Sequence, residues 1–217
     1  MPTFSHVLLP GRHHCVTRFQ AEYLRSLLAG EATDSTGAPV RMSPGAAIIW
    51  AVTSASHVHT RRNPISGARR LGLIERFAAV EGIPSLVVTV PDVPPHPRFS
   101  SLVVTTAATD LDLPLGPDNT VVACSTARVS AEYAALGYTI APAEASYEPM
   151  ATCPWDIVEL CAAGDPAWAE LAHPETVAYW QRYGCDETIR ELFADPVVSE
   201  EGDLTETRDY GTYAASF

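Results

Sequence analysis

Four short stretches of this 217-residue chain collect the side chains that could do chemistry. They are Gly11-Arg12-His13-His14, then His57-Val58-His59-Thr60-Arg61-Arg62-Asn63-Pro64 with Arg69 and Arg70 behind it, then Pro91-Asp92-Val93, then Ser125-Thr126. A glycine just ahead of a helix lets the backbone approach a phosphate and turns N–H groups toward it. Arg12, Arg18 and Arg70 could supply the positive charge. All 14 basic residues are arginine, which excludes a Schiff base, a lysine general base and a phosphate-loop lysine. Any phosphate must therefore be held by guanidinium groups, backbone N–H groups and helix N-termini. Arg61, Arg62, Arg69 and Arg70 cluster near an expected helix start, where cations are unfavourable, in a chain of net charge −12. That clustering points to an anion site.

The other reactive types read more plainly. His13 and His14 follow the glycine turn directly and are candidates for the chemistry, against the alternative of loop histidines satisfied by backbone groups. His57 and His59 have no carboxylate or cysteine at a supporting spacing, so a loop-fixing hydrogen bond is expected there and no metal site. The five cysteines form no C-x-x-C pair, which argues for buried thiols over a zinc site or a disulfide framework. Cys153 lacks a local His-Asp arrangement that would make it a nucleophile.

These loops need elements to position them. The apolar runs Phe4 to Leu9, Ala46 to Thr53, Pro84 to Val90, Thr120 to Cys124 and Tyr138 to Ala141 read as strands. Between them, Thr17 to Leu28, Ile65 to Val80 and Ala127 to Leu136 carry apolar residues at helical spacing, and Phe99 to Ala107 reads as a crossover helix despite its β-branched residues. Alternating strands and helices predict an α/β fold, a Rossmann-like parallel sheet of about five strands. Ligands then bind at the carboxyl ends of the strands, where the four stretches fall. Residues 1–148 are expected to form this core. Residues 149–217 are expected to form a helical C-terminal extension, with helices over Trp155 to Ala163 and Pro174 to Tyr183 and an acidic tail from Val197.

Composition narrows the partners. Hydrophobic residues make up 47% of the chain and charged ones 18%, enough to build a sizeable core. The net negative charge opposes a nucleic acid backbone. No apolar run approaches the roughly 18 residues of a membrane span. With an N-terminus that lacks signal-peptide features, the expected setting is the cytoplasm, with no membrane partner.

The order of the stretches resembles the archaeal-type nicotinamide-mononucleotide adenylyltransferases, in the nucleotidyltransferase superfamily. That family opens with G-R-F-Q-P-x-H-x-G-H, similar to Gly11-Arg12 followed at the right distance by Thr17-Arg18-Phe19-Gln20. Its block S-H-T-x-x-N-P-F-T-x-G-E-R resembles His59 to Arg70, with His59, Thr60, Asn63, Pro64 and Arg70 coinciding. Val88 to Val93 with Phe99, and Cys124 to Tyr138, resemble two further blocks, so the likeness spans residues 4 to 140.

The resemblance implies a nucleotidyltransferase fold, a homo-oligomer, and adenylyl transfer from ATP or another NTP, with Mg²⁺, to a mononucleotide such as nicotinamide mononucleotide. It places Thr17, Gln20 and Arg70 in catalysis; His13 and His14, which fall where the family has phenylalanine and glutamine, are candidate replacements for its phosphate-binding histidines. Gly11, Arg12, Arg18, Asn63, Arg70, Ser125 and Thr126 would lie on the nucleotide and its phosphates; His59, Asp92 and Phe99 would lie on the acceptor, Phe99 as the stacking ring. Two departures stand out. The family's phosphate-binding histidines fall on Thr17 and Gln20, and its last motif, S-G-T-E-I-R, falls on Cys153 to Val158, with valine where the arginine belongs. Two alternatives follow: a repurposed enzyme that cleaves or hydrolyses a nucleotide, and a catalytically silent nucleotide sensor.

Overall fold

The structure, a computed structural model, describes residues 2–93, 98–124, 126–143 and 153–195. Ser125, the proline loop at 94–97 and the acidic tail lie outside the described residues. Five strands form one parallel sheet in the order β3-β2-β1-β4-β5. They are β1 (Phe4–Gly11), β2 (Met42–Val52), β3 (Ser85–Thr89), β4 (Thr120–Ala123) and β5 (Thr139–Ala141). The strands coincide with the apolar runs because a sheet covered on both faces demands them; every residue of β4 is buried. β2 starts four residues ahead of its expected start at Ala46. Met42 pairs with Phe4 across a register irregularity, and Gly45 at φ +78° makes the bend, so no apolar pattern announces that pairing.

Alternate residues of the strands feed two cores. Val7, Leu9, Ile48, Trp50, Val52 and Val121 pack under α1 (Arg18–Leu28) and α2 (Gly67–Glu81) through Tyr23, Leu24, Leu27, Ile74 and Phe77. Leu8, Ile49, Ala51, Val88 and Val122 face the other way, onto α3 (Phe99–Asp110) and α4 (Ala127–Ala135) through Val103, Ala107 and Tyr133. α3 is helical despite its β-branched residues because a parallel sheet needs a crossover there and its burial outweighs propensity. α4 ends in a Schellman turn, with Gly137 at φ +90° and the Tyr138 N–H on the Tyr133 carbonyl.

Four further helices follow: α5 (Pro154–Ala162), α6 (Ala167–Leu171), α7 (Pro174–Tyr183) and α8 (Cys185–Ala194). They form a third apolar cluster with Cys15, Ile65 and Leu73, so the C-terminal helices pack directly on the β1–α1 loop and on α2. Among the described residues no helix is long and apolar enough to cross a membrane.

α2 begins two residues after the expected Ile65, with Ser66 as N-cap and Gly67 pressed against the loop that leaves β2. A Cβ on Gly67 would stand 2.7 Å from the Ala55 carbonyl oxygen, a backbone atom that cannot swing aside. Gly67→Ala is therefore expected to cost about 1–3 kcal/mol, read as a lower urea midpoint at unchanged m-value. Gly116→Ala, with nothing within 4 Å of the added methyl, should stay within about 0.5 kcal/mol of the parent.

Candidate functional site

In the order β3-β2-β1-β4-β5 the chain reverses direction across the sheet between β1 and β4. The crevice at that switch point is where ligands enter open parallel sheets. Gly11 ends β1 on one side of it, and Ala123 and Cys124 end β4 on the other.

The loops around this crevice are tied together by Arg70, which is fully buried. Its Nη1 donates to the carbonyls of Arg12 (2.8 Å) and Thr53 (2.7 Å), and its Nη2 donates to Ser54 (2.6 Å). Burial, then the neighbouring Arg12 charge, pull its pKa down to about 10 while Asp92 acts the other way, so it is a cation at neutral pH. The expectation of a phosphate-facing Arg70 meets a guanidinium that serves loop carbonyls, with only Nε unpaired and that atom enclosed.

His13 adopts φ +54° and turns its ring back over Gly11. A Cβ on Gly11 would meet the ring at 3.0 Å, so the space that the glycine opens is filled by imidazole. Nε2 lies 3.0 Å from the Leu9 carbonyl and so carries the proton, and the ring packs edge-on to Trp50 at 5.1 Å. Burial drives its pKa down to about 4, partly offset by the Leu9 bond. The position falls where the resembled family has phenylalanine, and a neutral ring packed like a phenyl is what stands there. His14 packs edge-on to Trp155 at 5.5 Å and neither ring nitrogen makes a hydrogen bond of normal geometry. Burial, followed by the Arg70 and Arg12 charges, hold its pKa far below the ordinary value against a weak pull from the Arg62 carbonyl. Neither histidine is a cation available to a phosphate.

Thr17 and Gln20, at the positions of the family's histidines, form a capping box at the start of α1. Thr17 Oγ1 accepts from the Gln20 N–H at 2.9 Å, and Gln20 Oε1 accepts from the Thr17 N–H at 3.1 Å. The T-x-x-Q spacing is itself a capping-box signature, a signal readable in the sequence beside the family motif. A second box closes α5, where the Cys153 N–H donates to Asp156 Oδ2 at 3.1 Å. That carboxylate occupies the helix start at which the family's last motif would receive phosphate.

The remaining expected residues scatter in role. Arg18 reaches away, its Nε donating to the Glu170 carbonyl at 2.8 Å. Arg12 Nη1 donates to the Arg62 carbonyl at 3.2 Å. Asn63 is wholly buried with neither side-chain atom hydrogen-bonded. Asp92 Oδ2 accepts from the Ser56 and His57 N–H groups at 3.1 Å each and lies 3.2 Å from His57 Nδ1, fixing the loop that leaves β2 against the end of β3. His59 is exposed at φ +59°. Phe99 opens α3 and is half-buried against the second core. Thr126 is the N-cap residue of α4 with no side-chain capping bond.

The expected arginine anion site disperses. Arg61 donates to the Leu192 (3.1 Å) and Asp195 (2.6 Å) carbonyls at the end of α8, where the helix dipole favours a cation. Arg69 sits 4.4 Å over the Tyr183 ring. What marks the region is strain. Among the described residues, three of the four non-glycine residues at positive φ, His13, Ser54 and His59, lie in the loops at the carboxyl ends of β1 and β2, and such conformations concentrate at functional sites.

The neutral histidines set an acid limit. A folded His13 pKa near 4 lies below the ordinary histidine value of 6.5, so the unfolded chain takes up the proton first as pH falls. This stabilisation is present above about pH 6.5 and drains toward pH 4, about 2 kcal/mol of it between pH 7.5 and 5. His14 adds in the same direction. Urea unfolding at those two pH values should show a steep acid loss, and His13→Phe should shrink it by about 2 kcal/mol.

No protein-family model matches the chain, and no curated protein matches it in sequence. Among solved structures, the bifunctional NMN adenylyltransferase/ADP ribose pyrophosphatase of Francisella tularensis, in complex with AMP and a manganese ion, shares the fold. It superposes with a TM-score of 0.58 over 89% of this chain at 11% sequence identity. The chain spans 52% of that protein's length. The fold is thus a Rossmann-like α/β sheet of the kind found in a nucleotidyltransferase.

Proposed function

We propose that the protein binds a nucleotide in the β1–β4 crevice and transfers a nucleotidyl group from an NTP such as ATP to a mononucleotide such as nicotinamide mononucleotide. The observation that carries this is the switch-point crevice, where a glycine-ended β1 leads into the capped start of α1, in a fold shared with an NMN adenylyltransferase. A phosphate oxygen of the acceptor attacks the donor's α-phosphorus, the α–β bridging bond breaks, and pyrophosphate leaves. Among the described residues no group of three His, Cys, Asp or Glu side chains is placed to hold a metal ion. Mg²⁺ would accordingly arrive with the triphosphate, which is its usual manner of binding at such sites. The chain's own part is to orient: α1 aims its positive N-terminal end at the phosphates, Arg12 adds a charge, and Phe99 offers a ring face to the acceptor base.

A second reading, a nucleotide sensor without turnover, is favoured by one observation: Thr17 and Gln20 spend their side chains on each other. Losing a charge-stabilising donor costs about 3 kcal/mol in the transition state, roughly a hundredfold or more in rate. Slow transfer is therefore expected. Incubating the protein with ATP, nicotinamide mononucleotide and Mg²⁺, with mass spectrometry of the products, should show a dinucleotide and pyrophosphate. Calorimetric binding of ATP without product would establish the sensor, and a product from one nucleotide alone would establish a repurposed cleavage enzyme. Arg12→Ala should weaken ATP binding about tenfold, the scale of one charge-assisted contact; unchanged affinity would place the phosphates elsewhere.

A further inference from the structure

The backbone just ahead of α1 is held from behind by the C-terminal helices. Thr176 is wholly buried, and its hydroxyl both accepts from the Val16 N–H at 3.0 Å and donates to the Val16 carbonyl at 2.9 Å. The Val16 carbonyl also accepts from the His173 N–H at 2.9 Å, and Ala172 forms an antiparallel bridge with Thr17. One step back, the His14 carbonyl accepts from Trp180 Nε1 at 3.2 Å, and Cys15 Sγ lies 3.1 Å from the Pro154 carbonyl.

The strap formed by residues 172–176 is itself anchored. The His173 Nδ1 accepts from the Glu175 N–H at 3.2 Å and its Nε2 donates to Glu81 of α2 at 3.0 Å, while Glu81 pairs with Arg25 of α1. Residue 16 immediately precedes the N-cap of α1, so a hydroxyl far along the chain helps to set where the first turn of that helix sits relative to Gly11.

We infer that Thr176 is a positioning residue for nucleotide binding: its paired hydrogen bonds to Val16 hold the start of α1 in register with the β1–β4 crevice. This rests on the nucleotide-binding reading above. Thr176 would touch no ligand. Removing its hydroxyl leaves the buried Val16 N–H unpaired, and the segment can recover a partner only by moving.

The test is calorimetric titration of the full chain with ATP and Mg²⁺, well below the melting temperature, for the wild type, Thr176→Val and Thr176→Ser. Hydrogen exchange of the amides of residues 16–20 is followed in the same proteins without ligand. Thr176→Val should raise the ATP Kd about tenfold, the scale of one buried hydrogen bond of this kind, and speed exchange at 16–20, while Thr176→Ser stays within about twofold of wild type. A folded Thr176→Val with wild-type affinity overturns the inference, as does an equal loss in valine and serine variants, which would mean methyl packing. Should Thr176→Val not fold, Trp180→Phe, which deletes the bond to the His14 carbonyl together with part of the ring stacked on Trp168, is expected to weaken ATP about threefold; unchanged affinity there counts the same way. Wild-type protein that binds no nucleotide removes the underlying reading first, and is distinguishable because no variant is needed to see it.

Discussion

The buried guanidinium of Arg70 is the constraint around which the carboxyl end of the sheet is arranged. It has no carboxylate hydrogen-bond partner among the described residues, and its Nη groups donate to three carbonyls from the exits of β1 and β2. Burying a charge is tolerable only when its hydrogens are matched in this way. A planar fork can reach several carbonyls from one enclosed position, which a lysine ammonium on a flexible stem would not reproduce. The requirement spreads outward. Burial, reinforced by this enclosed cation, keeps the adjacent His13 and His14 neutral, and Asp92 provides a compensating negative charge at longer range.

The loops therefore divide into a rigid inner layer and an outer surface on which a ligand can act. Two capping boxes, Thr17 with Gln20 and Cys153 with Asp156, place side-chain acceptors at helix starts that in the resembled family serve phosphate. The first leaves a neutral helix end, still positive through its dipole. The second places a carboxylate at the start of α5 and directs any anion toward α1. On the proposed reading, the backbone frame of a nucleotide site would be kept while its charged side chains are turned to holding structure, which suits binding more than fast phosphoryl chemistry.

Much of this frame was legible in the sequence. Strand and helix order followed from apolar runs of the right lengths, because a doubly covered parallel sheet has little freedom in what it buries. The expected location of the site follows from topology. What local pattern could not show was the use of each polar side chain. Arg61, Arg69 and Arg70 are neighbours in sequence yet serve the end of α8, an aromatic ring and a set of loop carbonyls. Periodicity says which way a residue points along its own element and nothing of what arrives from elsewhere. The T-x-x-Q spacing was the exception, a local signal overshadowed by the family motif on the same residues. Thr176 had no signal at all, since its partner lies 160 positions away.

That separation has a consequence for how the protein comes to be made. The β1–β2–β3 half of the sheet can assemble from segments that follow one another, but the segment between β1 and α1 acquires its final hydrogen bonds only when residues 173–180 are present and docked. Contacts of such long sequence separation close late and slowly. On a ribosome, where chains emerge N-terminus first, the loop after β1 would be made well before the helices that order it. A nascent chain carrying a complete sheet would still lack a settled first helix start, and the proposed site would take shape only once residues 173–180 had emerged.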